Sequence, residues 1–168
     1  MASAVFRVFR DALLAPPGRR FWRRCLLNGL LASSIGFALA SAALGVVALA
    51  GVPLDSLQVP DIEASFGDSF GAVVLAPVLE TLLLAGMLAV LPSRWSIVSR
   101  AAVAGVAWGV LHGLQAPLWF FAPTFAFFVY PCGYLAWRPV SFTRGFAAAA
   151  VPHALNNLVA ILLLAIEG

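Results

Sequence analysis

LAPVLETLLLAGMLAVL, residues 75–91, is an apolar run interrupted near its middle by one carboxylate, Glu80. Two further runs repeat the pattern. AVAGVAWGVLHGLQAP, residues 102–117, carries His112, and AVPHALNNLVAILLLAI, residues 150–166, carries His153 and Asn157. Helices of this length and apolarity belong in a bilayer. There a charged group at the centre costs roughly 2.5 to 3.5 kcal/mol on insertion scales. Polar groups kept at that cost point to partners or to work. Two histidines, a glutamate and an asparagine at similar depth read as a site.

Composition agrees with this setting. The 168 residues are 62% hydrophobic and only 10% charged, more apolar surface than a soluble domain can hide. Period-2 alternation over ten-residue stretches is absent, which argues against an outer-membrane barrel. The length allows one compact helical bundle and no separate soluble domain. The net charge of +3 comes from arginine with no lysine. Its distribution along the chain accounts for it, so no nucleic-acid partner is expected. Cys25 and Cys132 do not form a disulfide framework and read as small apolar residues.

Five spanning segments are expected, at about 25–50, 70–91, 101–117, 118–137 and 146–166, forming an all-α integral membrane domain over 25–168. Residues 1–24 form a basic cytoplasmic or interfacial segment, with a short amphipathic helix around Val5–Leu13 ended by Pro16-Pro17-Gly18. The apolar stretch after Arg24 is too long for a signal-peptide core and reads as a retained helix. Asp55, Asp61, Glu63 and Asp68 lie between the first two segments. Arg94 and Arg100 flank the second loop, and Arg138 and Arg144 the last. Five crossings put all ten arginines and the N-terminus in the cytoplasm and the acidic loop outside. The join at Ala116-Pro117-Leu118 demands a very tight hairpin or a partly re-entrant segment. The aromatic fourth segment reads as a lipid-facing helix with interfacial rings, or as a kinked wall along an apolar groove.

Spacing orders the polar residues. Glu80 and His112 each lie roughly 15 Å into a ~30 Å core. His153 and Asn157 are four apart and share a helix face, as do Trp108 and His112. Gly105, Gly109 and Gly113 form a small-residue stripe for close helix approach. A glutamate and a histidine flanking one water act as a general base. A second histidine with an amide can hold an oxyanion. That set suffices for peptide hydrolysis without a serine or cysteine nucleophile. The same glutamate and two histidines could instead hold zinc with one open position. Singly, each polar residue could also serve only as interhelical glue.

Ala76-Pro77-Val78-Leu79-Glu80, then Trp108 four before His112, then His153-Ala154-Leu155-Asn156-Asn157 resemble, in order and spacing, the three motifs of the CAAX protease and bacteriocin-processing family of intramembrane endopeptidases, also called the Abi family. The resemblance covers about residues 70–160. It implies a glutamate-type endopeptidase in which Glu80 and His112 activate water while His153 and Asn157 stabilise the oxyanion. It implies no cofactor, a membrane-anchored protein or peptide as substrate, and the bilayer as surroundings. A multi-pass place in a bacterial inner membrane is expected. The family's first motif has a second glutamate and an arginine where this chain has Thr81 and Ala85. Losing one member of such a buried pair would leave a lone charge costing about 3–5 kcal/mol; here both are absent. Two alternatives stay open: a non-catalytic relative acting as immunity factor or scaffold, and a zinc-dependent intramembrane protease using Glu80, His112 and His153.

Overall fold

The computed structural model describes Leu13, residues 20–53, Leu57 and residues 66–167. The expected interfacial helix near the N-terminus, Leu13 apart, and most of the acidic loop lie outside the described residues. Every regular element among the described residues is helical. α1 spans Phe21–Leu49. α2 is built of three consecutive pieces, an α-turn at Phe66–Phe70, a π-helical turn at Gly71–Leu75 and an α-helix at Ala76–Val90. α3 spans Ile97–Gly113, and a 3₁₀ turn at Pro117–Phe120 leads into α4 at Phe121–Trp137. α5 spans Phe142–Glu167. Four of these helices are long and apolar enough to cross a membrane. α3 is apolar but has 17 residues, a length of about 25 Å.

The helix ends differ from the sequence expectation for local reasons. α1 starts at Phe21 rather than near Cys25, because Phe21 packs edge-on against Trp137, with ring centroids 4.8 Å apart, beneath the Arg144 guanidinium. Residues 21–24 are thus part of the helix. α3 starts at Ile97, capped by Ser96 Oγ accepting from the Ser99 amide at 3.0 Å. It stops at Gly113, four residues early, because Pro117 forces Ala116 into extended backbone (φ −150°, ψ 121°). The Gln115 and Ala116 amides turn back to the His112 carbonyl at 3.0 and 3.2 Å. The expected tight hairpin is therefore a three-residue turn. α5 starts at Phe142, where Ser141 Oγ accepts from the Arg144 amide at 3.1 Å.

α4 is the central helix, packed against α1, α3 and α5. Ala126, Phe127, Val129, Tyr130, Pro131, Cys132, Gly133, Tyr134 and Trp137 are all buried on it. The lipid-facing reading of this segment is thereby corrected. Its rings are spaced to fill the core, whereas α1 beyond Gly36 and the outer faces of α2 and α5 carry the exposed leucines and valines. Cys25 and Cys132 are both free and buried.

Glycines permit the closest approaches. A Cβ at Gly105 would lie 2.5 Å from the Thr124 carbonyl oxygen of α4, and one at Gly109 would overlap Thr124 Oγ1. A Cβ at Gly133 would lie 2.5 Å from the Ala148 carbonyl oxygen of α5. Pro152 brings no amide to that carbonyl four residues back, and the close seating of the carbonyl on α4 depends on the glycine.

Gly105→Ala is expected to push α3 off α4 and to lower stability by about 1–3 kcal/mol. Gly45, with nothing within 4 Å of its would-be Cβ, supplies the control. Gly45→Ala should leave thermal unfolding in detergent unchanged or raise it slightly.

Candidate functional site

Pro77 shapes the first part of the site. It has no amide hydrogen, and its ring cannot follow an unbroken α-helical turn. The turn before it widens to π geometry, and the Ala76 amide bonds the Gly71 carbonyl five residues back. The Ala72 carbonyl would take Ala76 in an α-turn or Pro77 in a π-turn; the first amide is used elsewhere and the second does not exist. Asn157 Nδ2 meets this orphan from α5, donating to Ala72 O at 2.7 Å. Asn157 Oδ1 accepts from Asn156 Nδ2 at 3.5 Å, and Asn156 Oδ1 accepts from Ser33 Oγ at 3.0 Å. One polar chain therefore ties α1, α5 and the π-turn of α2.

Trp108 organises the second part. Its indole Nε1 donates to Glu80 Oε2 at 3.2 Å, so α3 reaches across to the half-buried carboxylate of α2. Its backbone carbonyl lies 2.8 Å from His112 Nδ1. A carbonyl only accepts, so Nδ1 carries the hydrogen and Nε2 holds the lone pair in the neutral ring. Trp108 thus holds a carboxylate and orients an imidazole so that Nε2 is its acceptor.

Phe127 of α4 gathers the rings. Trp108 stacks on it at 5.0 Å and 20°, His112 lies 6.0 Å away at a tilt, and His153 meets it edge-on at 5.1 Å. Tyr130 stacks on His153 at 4.9 Å and 18°. His153 and Tyr130 are buried, and neither His153 Nδ1 nor Tyr130 Oη has a hydrogen-bond partner among the described residues.

The structure thus brings Glu80, His112 and His153 around the Trp108–Phe127 pair. Asn157 lies one turn along α5 from His153, with its amide engaged at the π-turn. No three His, Cys, Asp or Glu side chains among the described residues are grouped as a metal-holding set. Thr81 and Ala85 are buried at 1% and 8% exposure, which places the departures from the family motif in the packed interior of α2.

Sequence reasoning missed Tyr130, Phe127, Asn156 and Ser33. The signal for Tyr130 lay in the aromatic segment, where its hydroxyl distinguishes it from the surrounding phenylalanines. Ser33 gave none, because serines are common in membrane helices and its partner is 123 residues away.

No protein-family model, no curated protein and no solved structure matches this chain.

Asn157→Leu should strand the Ala72 carbonyl and cost about 1–3 kcal/mol. Restoring an amide with Pro77→Ala should recover much of that loss in the double variant. Thermal unfolding of the four proteins of the double-mutant cycle measures the coupling.

Proposed function

We propose that this chain is an intramembrane glutamate-type endopeptidase acting on a membrane-anchored protein or peptide. The observation that carries the reading is the double hold of Trp108 on Glu80 and His112. It pairs a carboxylate with an imidazole whose Nε2 is the acceptor. In this mechanism Glu80 and His112 take a proton from water, and the resulting hydroxide attacks the scissile carbonyl carbon. His153 donates to the oxyanion through Nδ1, and Asn157 through its second amide hydrogen. Collapse of the intermediate breaks the C–N bond, and the proton held by the Glu80–His112 pair passes to the leaving amine. Tyr130 Oη is a further hydroxyl with no partner among the described residues, stacked against His153. Buried donors without partners are costly in a purely structural core, and such donors suit a site that receives a carbonyl.

A second reading is favoured by one observation, the engagement of Asn157 with Ala72. In a non-catalytic membrane scaffold the four residues would serve only to pin the helices. Glu80→Gln separates the readings, because it keeps the shape and the acceptor for Trp108 while removing the base. New peptide termini in the membrane proteome of cells making the wild type should disappear with Glu80→Gln, a loss of at least about a hundredfold. Identical termini with both proteins, at equal abundance, would sink the protease reading.

The arginine distribution supports an inner-membrane topology with residues 1–20 and both arginine-bearing loops in the cytoplasm. With Cys25 and Cys132 replaced, Ser56→Cys should react with an impermeant maleimide on intact cells. Ser93→Cys and Ser141→Cys should react only after permeabilisation. Labelling of Ser141→Cys from outside would reverse or break this topology.

A further inference from the structure

A second feature lies away from the Glu80–His112 pair, where α2 and α4 end and α3 begins. α2 packs chiefly on α5 and meets α3 and α4 sparsely. The resulting gap is a cavity of about 400 Å³ lined by Ala85 and Leu88 of α2, Arg100 of α3, and Tyr134, Leu135 and Arg138 at the end of α4. Two guanidinium groups border it, and among the described residues no carboxylate does. Arg100 Nη2 donates to the Leu88 carbonyl, which helps to close the end of α2. That bond uses one of five donors. The Nε of the same fork is buried and has no partner among the described residues. Arg138 is exposed at the rim, with its guanidinium 5.6 Å from the centre of the Phe142 ring.

We infer that this cavity binds the phosphate of an anionic glycerophospholipid. It lies where apolar helices give way to their connecting loops, the depth at which phosphate groups sit in a bilayer. Basic pockets between membrane helices at that depth match lipid headgroups. A planar guanidinium fork fits phosphate oxygens in pairs. Leu88 and Leu135 offer an apolar wall to the glycerol and the first acyl methylenes. Two arginines with no acidic partner among the described residues favour a headgroup with net negative charge and disfavour one that carries a choline cation. The volume suits a small headgroup. The site stands independently of the proposed protease activity and involves none of its four residues.

The test uses the full chain in detergent, freed of lipid and then titrated separately with phosphatidylglycerol, phosphatidylcholine and inorganic phosphate. Native mass spectrometry reads retained lipid, and thermal unfolding reads stabilisation. Phosphatidylglycerol should be retained as a single molecule per chain and raise the unfolding temperature, with phosphatidylcholine at least about tenfold weaker. Arg138→Gln, at an exposed position, should weaken phosphatidylglycerol about tenfold without altering the lipid-free protein. Arg100→Gln also removes the bond to Leu88. Ala89 lines the same cavity at an exposed position, so Ala89→Phe, which fills the cavity from that rim, serves as the second variant and should abolish retention. Equal retention of both lipids would overturn the assignment. So would unchanged binding in Arg138→Gln and Ala89→Phe, or stabilisation by inorganic phosphate alone.

Discussion

A backbone carbonyl with no amide to bond is the constraint around which this bundle is arranged. In an apolar interior such a group costs free energy unless another part of the chain reaches it. Pro77 creates the orphan at Ala72, and Asn157 answers it from α5. Asn156 and Ser33 continue the polar chain to α1, so helices far apart in sequence acquire a fixed register. Apolar packing alone would leave that register loose, because lipid tails compete equally well for leucine faces.

The same economy of polar contacts governs the candidate site. Glu80 is not left to lipid; the Trp108 indole bonds it, and the Trp108 carbonyl bonds His112. Phe127 then stacks beneath Trp108 and braces His153 from the side. α4 is therefore both the centre of the fold and the floor of the site. Its close seating on α3 depends on Gly105 and Gly109, and on α5 it depends on Gly133. Stability and site geometry are thus coupled through helix spacing.

The site also contains a tension between structure and chemistry. Asn157 serves the π-turn with one amide hydrogen and keeps the other. His153 and Tyr130 are buried with polar atoms that no described residue satisfies. Groups held in this way raise the energy of the resting protein, and a bound carbonyl or water would lower it again. Thr81 and Ala85 avoid a further cost, since a lone buried charge at either position would have no partner in the packed interior of α2.

Much of this was legible in the chain. Length and apolarity alone determined a helical membrane protein, because no other backbone arrangement satisfies its own polar groups within a single apolar segment. Glu80, His112 and His153 stood out because charge and imidazole are rare at that depth, and the Trp108–His112 spacing placed two of the groups on one face. The lipid-facing reading of the fourth helix does not hold, since a run of aromatic residues looks the same whether it faces lipid or core. Only tertiary structure decides which face is buried, and here glycines on α3 and on α4 itself let α4 sit at the centre. Tertiary structure also decided the work of Asn157. A missing amide at Pro77 is visible in sequence, but which side chain reaches the carbonyl it abandons depends on a contact 85 residues away.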